Sequence, residues 1–149
     1  MLKPFAEALR EDWLDAYGHL NEGYYYVAFA DAGWDFLQQL DVGVAYFERT
    51  GCSWYTAESH LRFLKEVRPP AALEMQGVLL DCDAKRMHYC FVMRVEGIER
   101  ATLEAVAIHF DPKAGRVTPA SDDVQARLRQ AKTPEPPPWT GRAVSLAKR

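Results

Sequence analysis

The chain has 149 residues, 48% of them apolar and 26% charged, with a formal net charge of −3 and an isoelectric point near 5.8. That length accommodates one domain with a core of its own. The acidic balance argues against nucleic acid as the main partner, and no apolar run approaches the ~20 residues of a membrane helix.

Met1 to Arg10 carries Lys3, Pro4, Glu7 and Arg10 and lacks the apolar core of a signal peptide. Residues 3–9 read as a short first strand or extended lead-in, weakened by Pro4 and Ala8. Glu11 to Asn21 is a polar turn. Roughly residues 22–40 form a helix, because Tyr25, Phe29, Ala32, Phe36 and Leu40 recur at steps of four and three, the spacing of one helical face. Asp31, Asp35, Gln38 and Gln39 fall largely off that stripe. Asn21 suits the N-cap, and Asp41-Val42-Gly43 ends the helix with Gly43 as its C-cap. Val44 to Gly51 is a loop or an irregular turn of helix.

From Cys52 onward the pattern is of strands separated by turns. Ser53 to Val67 is long and mixed, and Arg68-Pro69-Pro70 closes it, since proline cannot continue a ladder. Leu73 to Cys82, Arg86 to Glu96 and Glu99 to Phe110 follow as strands. Asp122 to Lys132 is a short amphipathic helix with Val124 and Leu128 on one side and Ser121 as its cap. Thr133 to Arg149, with Pro134 and Pro136 to Pro138, reads as an extended tail, so residues 1–132 are the domain and 133–149 the tail. Strands this closely spaced leave no room for helical crossovers, so the sheet is antiparallel with the helix against one face and the fold class is α+β. About five strands wrapped around one long helix make the hotdog arrangement.

Chemistry concentrates in Asp15-Ala16-Tyr17-Gly18-His19-Leu20-Asn21, just ahead of the long helix. A lone aspartate there can be a structural cap, and His19 can be an ordinary turn residue. Together they place a carboxylate able to act as base or nucleophile beside amide donors able to hold an oxyanion. His60, His88 and His109 show no ligand spacing, so no metal site is expected. Cys52, Cys82 and Cys90 form no CxxC pair, which fits small buried side chains in a reduced, cytoplasmic protein.

The same residues, with Tyr25 four positions on, resemble the signature of hotdog-fold acyl-CoA thioesterases of the 4-hydroxybenzoyl-CoA thioesterase type. The resemblance continues through His60 to Val67, Asp81 to Met87 and Ala101 to Pro119, covering roughly residues 5–131. The runs Glu58 to Val67 and Asp83 to His88 are similar to thioesterases of carnitine and betaine metabolism, whose substrate is betainyl-CoA. The resemblance implies that Asp15 is the catalytic carboxylate and that His19 and Asn21 shape the turn. It also implies that backbone amides near Tyr24 and Tyr25 polarise the thioester oxygen, and that coenzyme A enters only as part of the substrate. Many relatives carry a second acid where this chain has Trp13; Asp12 is read as non-catalytic, and Asp31 on the helix is the fallback. Trp13, Tyr17, Tyr24, Trp34, Trp54 and Tyr55 are candidates to border the acyl group, since aromatic faces attract quaternary ammonium. Arg62, Lys85 and Arg86, with Lys65 less favoured, are candidates for the coenzyme A phosphates. A homodimer or homotetramer is expected, with the substrate groove between protomers and the Pro136–Trp139 segment lying across the partner. Competing readings are a non-catalytic acyl-CoA-binding module and a hotdog enoyl-CoA hydratase or dehydratase.

Overall fold

The computed structural model describes residues 2–147. Helix α1 spans Glu22–Gln39, and its buried side chains are Tyr25, Ala28, Phe29, Ala32 and Phe36, the stripe that the spacing requires. Asn21 caps it by accepting the Gly23 amide at 3.0 Å. At the other end the left-handed residue is Asp41, at φ 56°, not Gly43. A short polar side chain tolerates that conformation, which frees Gly43 to start the next helix, α2 (Val44–Thr50).

Strands β1 (Phe5–Ala8), β2 (Ser53–Phe63), β3 (Ala72–Cys82), β4 (Arg86–Val95), β5 (Ile98–Asp111) and β6 (Arg116–Val117) form one sheet. Its order is β1-β3-β4-β5-β2, with β6 on β5, and every pairing is antiparallel. The hotdog architecture is therefore present, one short strand richer than expected. The inner face presents Leu73, Met75 and Leu79 of β3, Met87, Phe91 and Met93 of β4, and Ala101, Leu103, Ala105 and Ala107 of β5, in one core with α1. Helix α2 is tied to β5 through His109. Its Nδ1 donates to the Thr118 carbonyl at 2.8 Å, because a carbonyl can only accept, and Nε2 therefore accepts from the Tyr46 hydroxyl at 2.8 Å.

The outer face is covered as well. After α3 (Asp122–Ala131), where Ser121 holds the N-cap position without a side-chain capping bond, residues 132–147 fold back on the sheet. Lys132 pairs with Asp81 at 2.6 Å, the Thr133 amide donates to the Leu79 carbonyl at 2.8 Å, and the Gly141 amide donates to Glu104 Oε1 at 2.6 Å. That same carboxylate oxygen lies 2.7 Å from His88 Nε2, and Val144 is buried. The proline-rich tail is thus a packed strap. Burial beneath it, with the nearby Glu104 carboxylate adding to the effect, pushes the Cys90 thiol up to about 12. Short β1 forms one edge of the sheet and β2 the other, eleven residues long and largely exposed.

Gly77 is the most closely packed glycine of the described residues. A Cβ added there meets Phe91 Cε1 at 2.5 Å and Phe36 Cδ2 at 2.9 Å. Replacement by alanine is expected to lower stability by about 1–3 kcal/mol, as overpacking does, read as a lower urea midpoint at unchanged slope.

Candidate active site

The loop from Trp13 to Asn21 is a closed turn. Leu14 and Leu20 bridge, the Asp15 amide donates to the His19 carbonyl at 2.8 Å, and the Gly18 amide returns to the Asp15 carbonyl at 3.1 Å. Gly18 sits at φ 76°, the left-handed conformation the turn needs. The turn is anchored outward by Leu20 N–H to Val67 O at 2.9 Å and Asn21 N–H to Trp13 O at 2.9 Å. Within it, Asp15 Oδ1 accepts the amides of Tyr17 at 2.8 Å and His19 at 3.2 Å. One carboxylate oxygen is thereby fixed, and Oδ2 has no protein partner among the described residues.

Asp15 borders an open groove of about 330 Å³ together with His19, Glu22, Tyr25, Phe63 and Glu66. Tyr25 meets Phe63 edge-on at 5.2 Å and directs its hydroxyl to the Lys65 carbonyl at 3.5 Å; burial raises its phenol pKa. His19 Nε2 stands 3.1 Å from Glu66 Oε2, shielded from solvent but out of hydrogen-bond alignment. Glu66 Oε1 accepts from Arg68 Nε at 2.8 Å, and that bond holds the Glu66 carboxyl below its ordinary value. At the head of α1 the Gly23 and Tyr24 amides are already taken by the Asn21 side chain and carbonyl. The Glu22 amide, one residue earlier and at the groove, has no acceptor among the described residues. The Glu22 amide is thus freer to donate than those of Gly23 and Tyr24.

A second cavity, about 190 Å³, lies between α1 and the sheet. Tyr26, Phe29, Trp34, Phe36, Trp54, Tyr89 and Phe91 line it, and no charged side chain among the described residues does. Trp54 Nε1 is buried there without a partner among the described residues. Trp34 and Tyr55 also border a shallower hollow beside Phe47. On β2, Thr56 of the aromatic cavity and Phe63 of the groove are seven residues apart, about 20 Å at the rise of a strand.

Residues 9–128 match the family described as the thioesterase-like superfamily. The chain belongs to that superfamily. It is 38% identical over 121 residues to the L-carnitine dehydrogenase/betainyl-CoA thioesterase of Rhizobium meliloti, covering 78% of this chain and 24% of that protein. The chain thus spans about a quarter of that relative's length. A betainyl-CoA thioesterase of Pseudomonas aeruginosa is 28% identical over 152 residues, covering 98% of this chain and 96% of the relative. A Staphylococcus aureus protein solved in complex with CoA superimposes with a TM-score of 0.84 at 17% identity, covering 99% and 98% of the two chains. That likeness shows the hotdog fold.

In this thioesterase-like chain the turn brings Asp15, His19 and Tyr25 to one groove, with Asn21 behind them as the helix cap. Lys65 also lines that groove, and the other expected positions scatter. Trp13 is turned into the core, stacked on Tyr24 at 5.7 Å with the Arg10 guanidinium 5.3 Å from its ring, so it cannot border a substrate. Tyr17 is 81% exposed at the turn's tip. Arg62 alternates with Leu61 and Phe63 and so lies on the opposite face of β2. Lys85 and Arg86 sit at the β3–β4 turn, the far end of the sheet from Asp15, and Arg86 is already held by Asp83 Oδ2 at 2.6 Å and 2.8 Å. Asp31 lies on the helix face towards Glu7, whose pKa it helps to raise after burial itself, and not at the groove. Glu22, Phe63 and Glu66 were not singled out; Glu66 lay inside the matched run His60 to Val67, where nothing local distinguishes it from a solvated charge. Among the described residues no three His, Cys, Asp or Glu side chains stand close enough to hold a metal, and no helix is long and apolar enough to cross a membrane. Trp13→Ala is expected to cost about 3 kcal/mol of stability, as large core truncations do, while the KM of the folded variant for its acyl-CoA stays within twofold of the parent.

Proposed function

We propose that this chain hydrolyses a small acyl-CoA thioester, with betainyl-CoA as the substrate, and that Asp15 attacks the carbonyl directly or through a water. The observation that carries the reading is Asp15 itself: one oxygen pinned by two amides, the other open to a groove at the head of α1. A carboxylate fixed in that way loses little freedom on reaching the reacting geometry. The Glu22 amide is the donor available to the developing oxyanion, aided by the positive end of the helix.

The betainyl assignment is supported by the names of the relatives and by the aromatic cavity. Seven rings without a carboxylate suit a trimethylammonium group, which binds aromatic faces at ~0.5–2 kcal/mol each. In betainyl-CoA the nitrogen is two bonds from the carbonyl carbon, whereas along β2 Thr56 of the cavity and Phe63 of the groove stand about 20 Å apart. A second copy resolves the mismatch. Pairing two exposed β2 edges antiparallel brings the Phe63 end of one strand against the Trp54–Tyr55 end of its partner, so each groove meets the other chain's cavity. Exposed Trp34, Phe47, Tyr55, Phe63 and Leu64 cluster along that edge, as an interface requires. The Glu66 carboxylate beside His19 gives enoyl-CoA hydration some footing as a second reading.

Asp15→Asn is expected to lower kcat for thiol release by ~10²–10⁴-fold with the fold intact by circular dichroism; parental turnover would remove Asp15 from the reaction. On a panel of acyl-CoAs monitored by free thiol, betainyl-CoA should give the highest kcat/KM. Preference for benzoyl or long-chain acyl groups rejects the betainyl assignment, and hydration of crotonyl-CoA without thiol release favours the second reading.

A further inference from the structure

The groove holds an acid for which the reading above has no task. Glu66 lies just past β2 and is half exposed, yet its carboxylate is pinned: Arg68 Nε donates to Oε1 at 2.8 Å, and Arg100 Nη1 donates to the Glu66 carbonyl at 3.1 Å. Its free oxygen, Oε2, stands 3.1 Å from His19 Nε2. That nitrogen is shut off from solvent and has no aligned acceptor among the described residues. A buried ring nitrogen without a partner calls for an explanation, and among the described residues the carboxylate oxygen within ion-pair distance of it is Glu66 Oε2. At that distance only alignment is missing, and apo catalytic hydrogen bonds commonly gain it when substrate binds. His19 is otherwise held by its backbone, whose amide and carbonyl both bond to Asp15. The ring is thus poised between the two acids of the groove.

We infer that Glu66 is a positioning residue that accepts the Nε2 proton of His19, leaving the Nδ1 lone pair towards the groove as the base that activates water. The inference rests on Asp15 being the nucleophile and divides hydrolysis into two halves. In the first, Asp15 Oδ2 attacks the thioester carbon, the C–S bond breaks, and CoA leaves as a thiolate that takes its proton from solvent. In the second, water attacks the acyl carbon of the resulting mixed anhydride and gives its proton to His19 Nδ1; the bond to Asp15 breaks and the carboxylate is restored. The proton then passes from His19 to solvent. Orientation of one ring nitrogen by an acid at the other is the usual way a histidine is made a base of one definite tautomer.

The test uses the full chain and betainyl-CoA. Glu66→Gln and His19→Gln are each expected to lower steady-state kcat by ~10²-fold with KM little changed. Each should release about one equivalent of CoA per site in a first-turnover burst, and intact-mass spectrometry should find the acyl group on the enzyme. The double variant should be no slower than either single one, because residues acting as a unit are non-additive, and Glu66→Asp should recover part of the rate. Losses that multiply in the double variant, or single variants that show no burst and no adduct, overturn the assignment of Glu66 and His19. Asp15→Asn tests the reading underneath: with Asp15 in the reaction it loses turnover, whereas adduct in the Glu66 and His19 variants is what direct attack alone gives. Parental turnover in that variant overturns the nucleophile and, with it, the two-step scheme.

Discussion

The site depends on a loop of seven residues being clamped between the start of a helix and the end of a strand. Leu20 N–H to the Val67 carbonyl ties the loop to the chain leaving β2, and Asn21 N–H to the Trp13 carbonyl closes its neck. Buried Trp13 and Leu20 anchor both ends in the core. Only with those bonds in place do the amides of Tyr17 and His19 converge on one oxygen of Asp15. The carboxylate is oriented by backbone, not by neighbouring side chains. Such an arrangement resists surface substitution and fails when the neck opens.

Polar and apolar functions are kept apart in one chain. The groove by Asp15 has Glu22, Lys65 and Glu66 on its wall, whereas the cavity under Trp34 and Trp54 is aromatic and free of charge among the described residues. A thioester carrying a cationic acyl group needs both environments within a few bonds, and along β2 of a single chain Thr56 of the cavity and Phe63 of the groove stand about 20 Å apart. The unpaired β2 edge, with its exposed aromatic residues, is the feature through which two copies bring them together in the proposed reading.

The outer face shows a different solution to the same problem of covering a sheet. His88, Cys90, Val92, Thr102, Glu104 and Val106 are all buried although they point away from α1. The strap of residues 132–147 packs over this face, and its Gly141 amide, together with the His88 imidazole of β4, meets the buried Glu104 carboxylate. Burying Glu104 would be costly without those two partners.

Some of this is written in the sequence by periodicity and local chemistry. The α1 stripe, its Asn21 cap, the four long strands, the antiparallel sheet and the Gly18 turn beside Asp15 follow from side-chain spacing and the few residues that tolerate special backbone angles, both properties of neighbouring positions. The tertiary structure alone decided the rest. Trp13 looked like a site aromatic and became core, because the turn's neck faces inward. Lys85 and Arg86 lie at the Tyr55 end of the sheet, away from the Asp15 of the same chain, with Arg86 engaged by Asp83. Glu66 met His19 across 47 positions of chain, and the Glu22 amide was left unbonded because Asn21 took the next two. Contacts between residues far apart in sequence depend on how strands register and how the chain returns, and no local pattern encodes either.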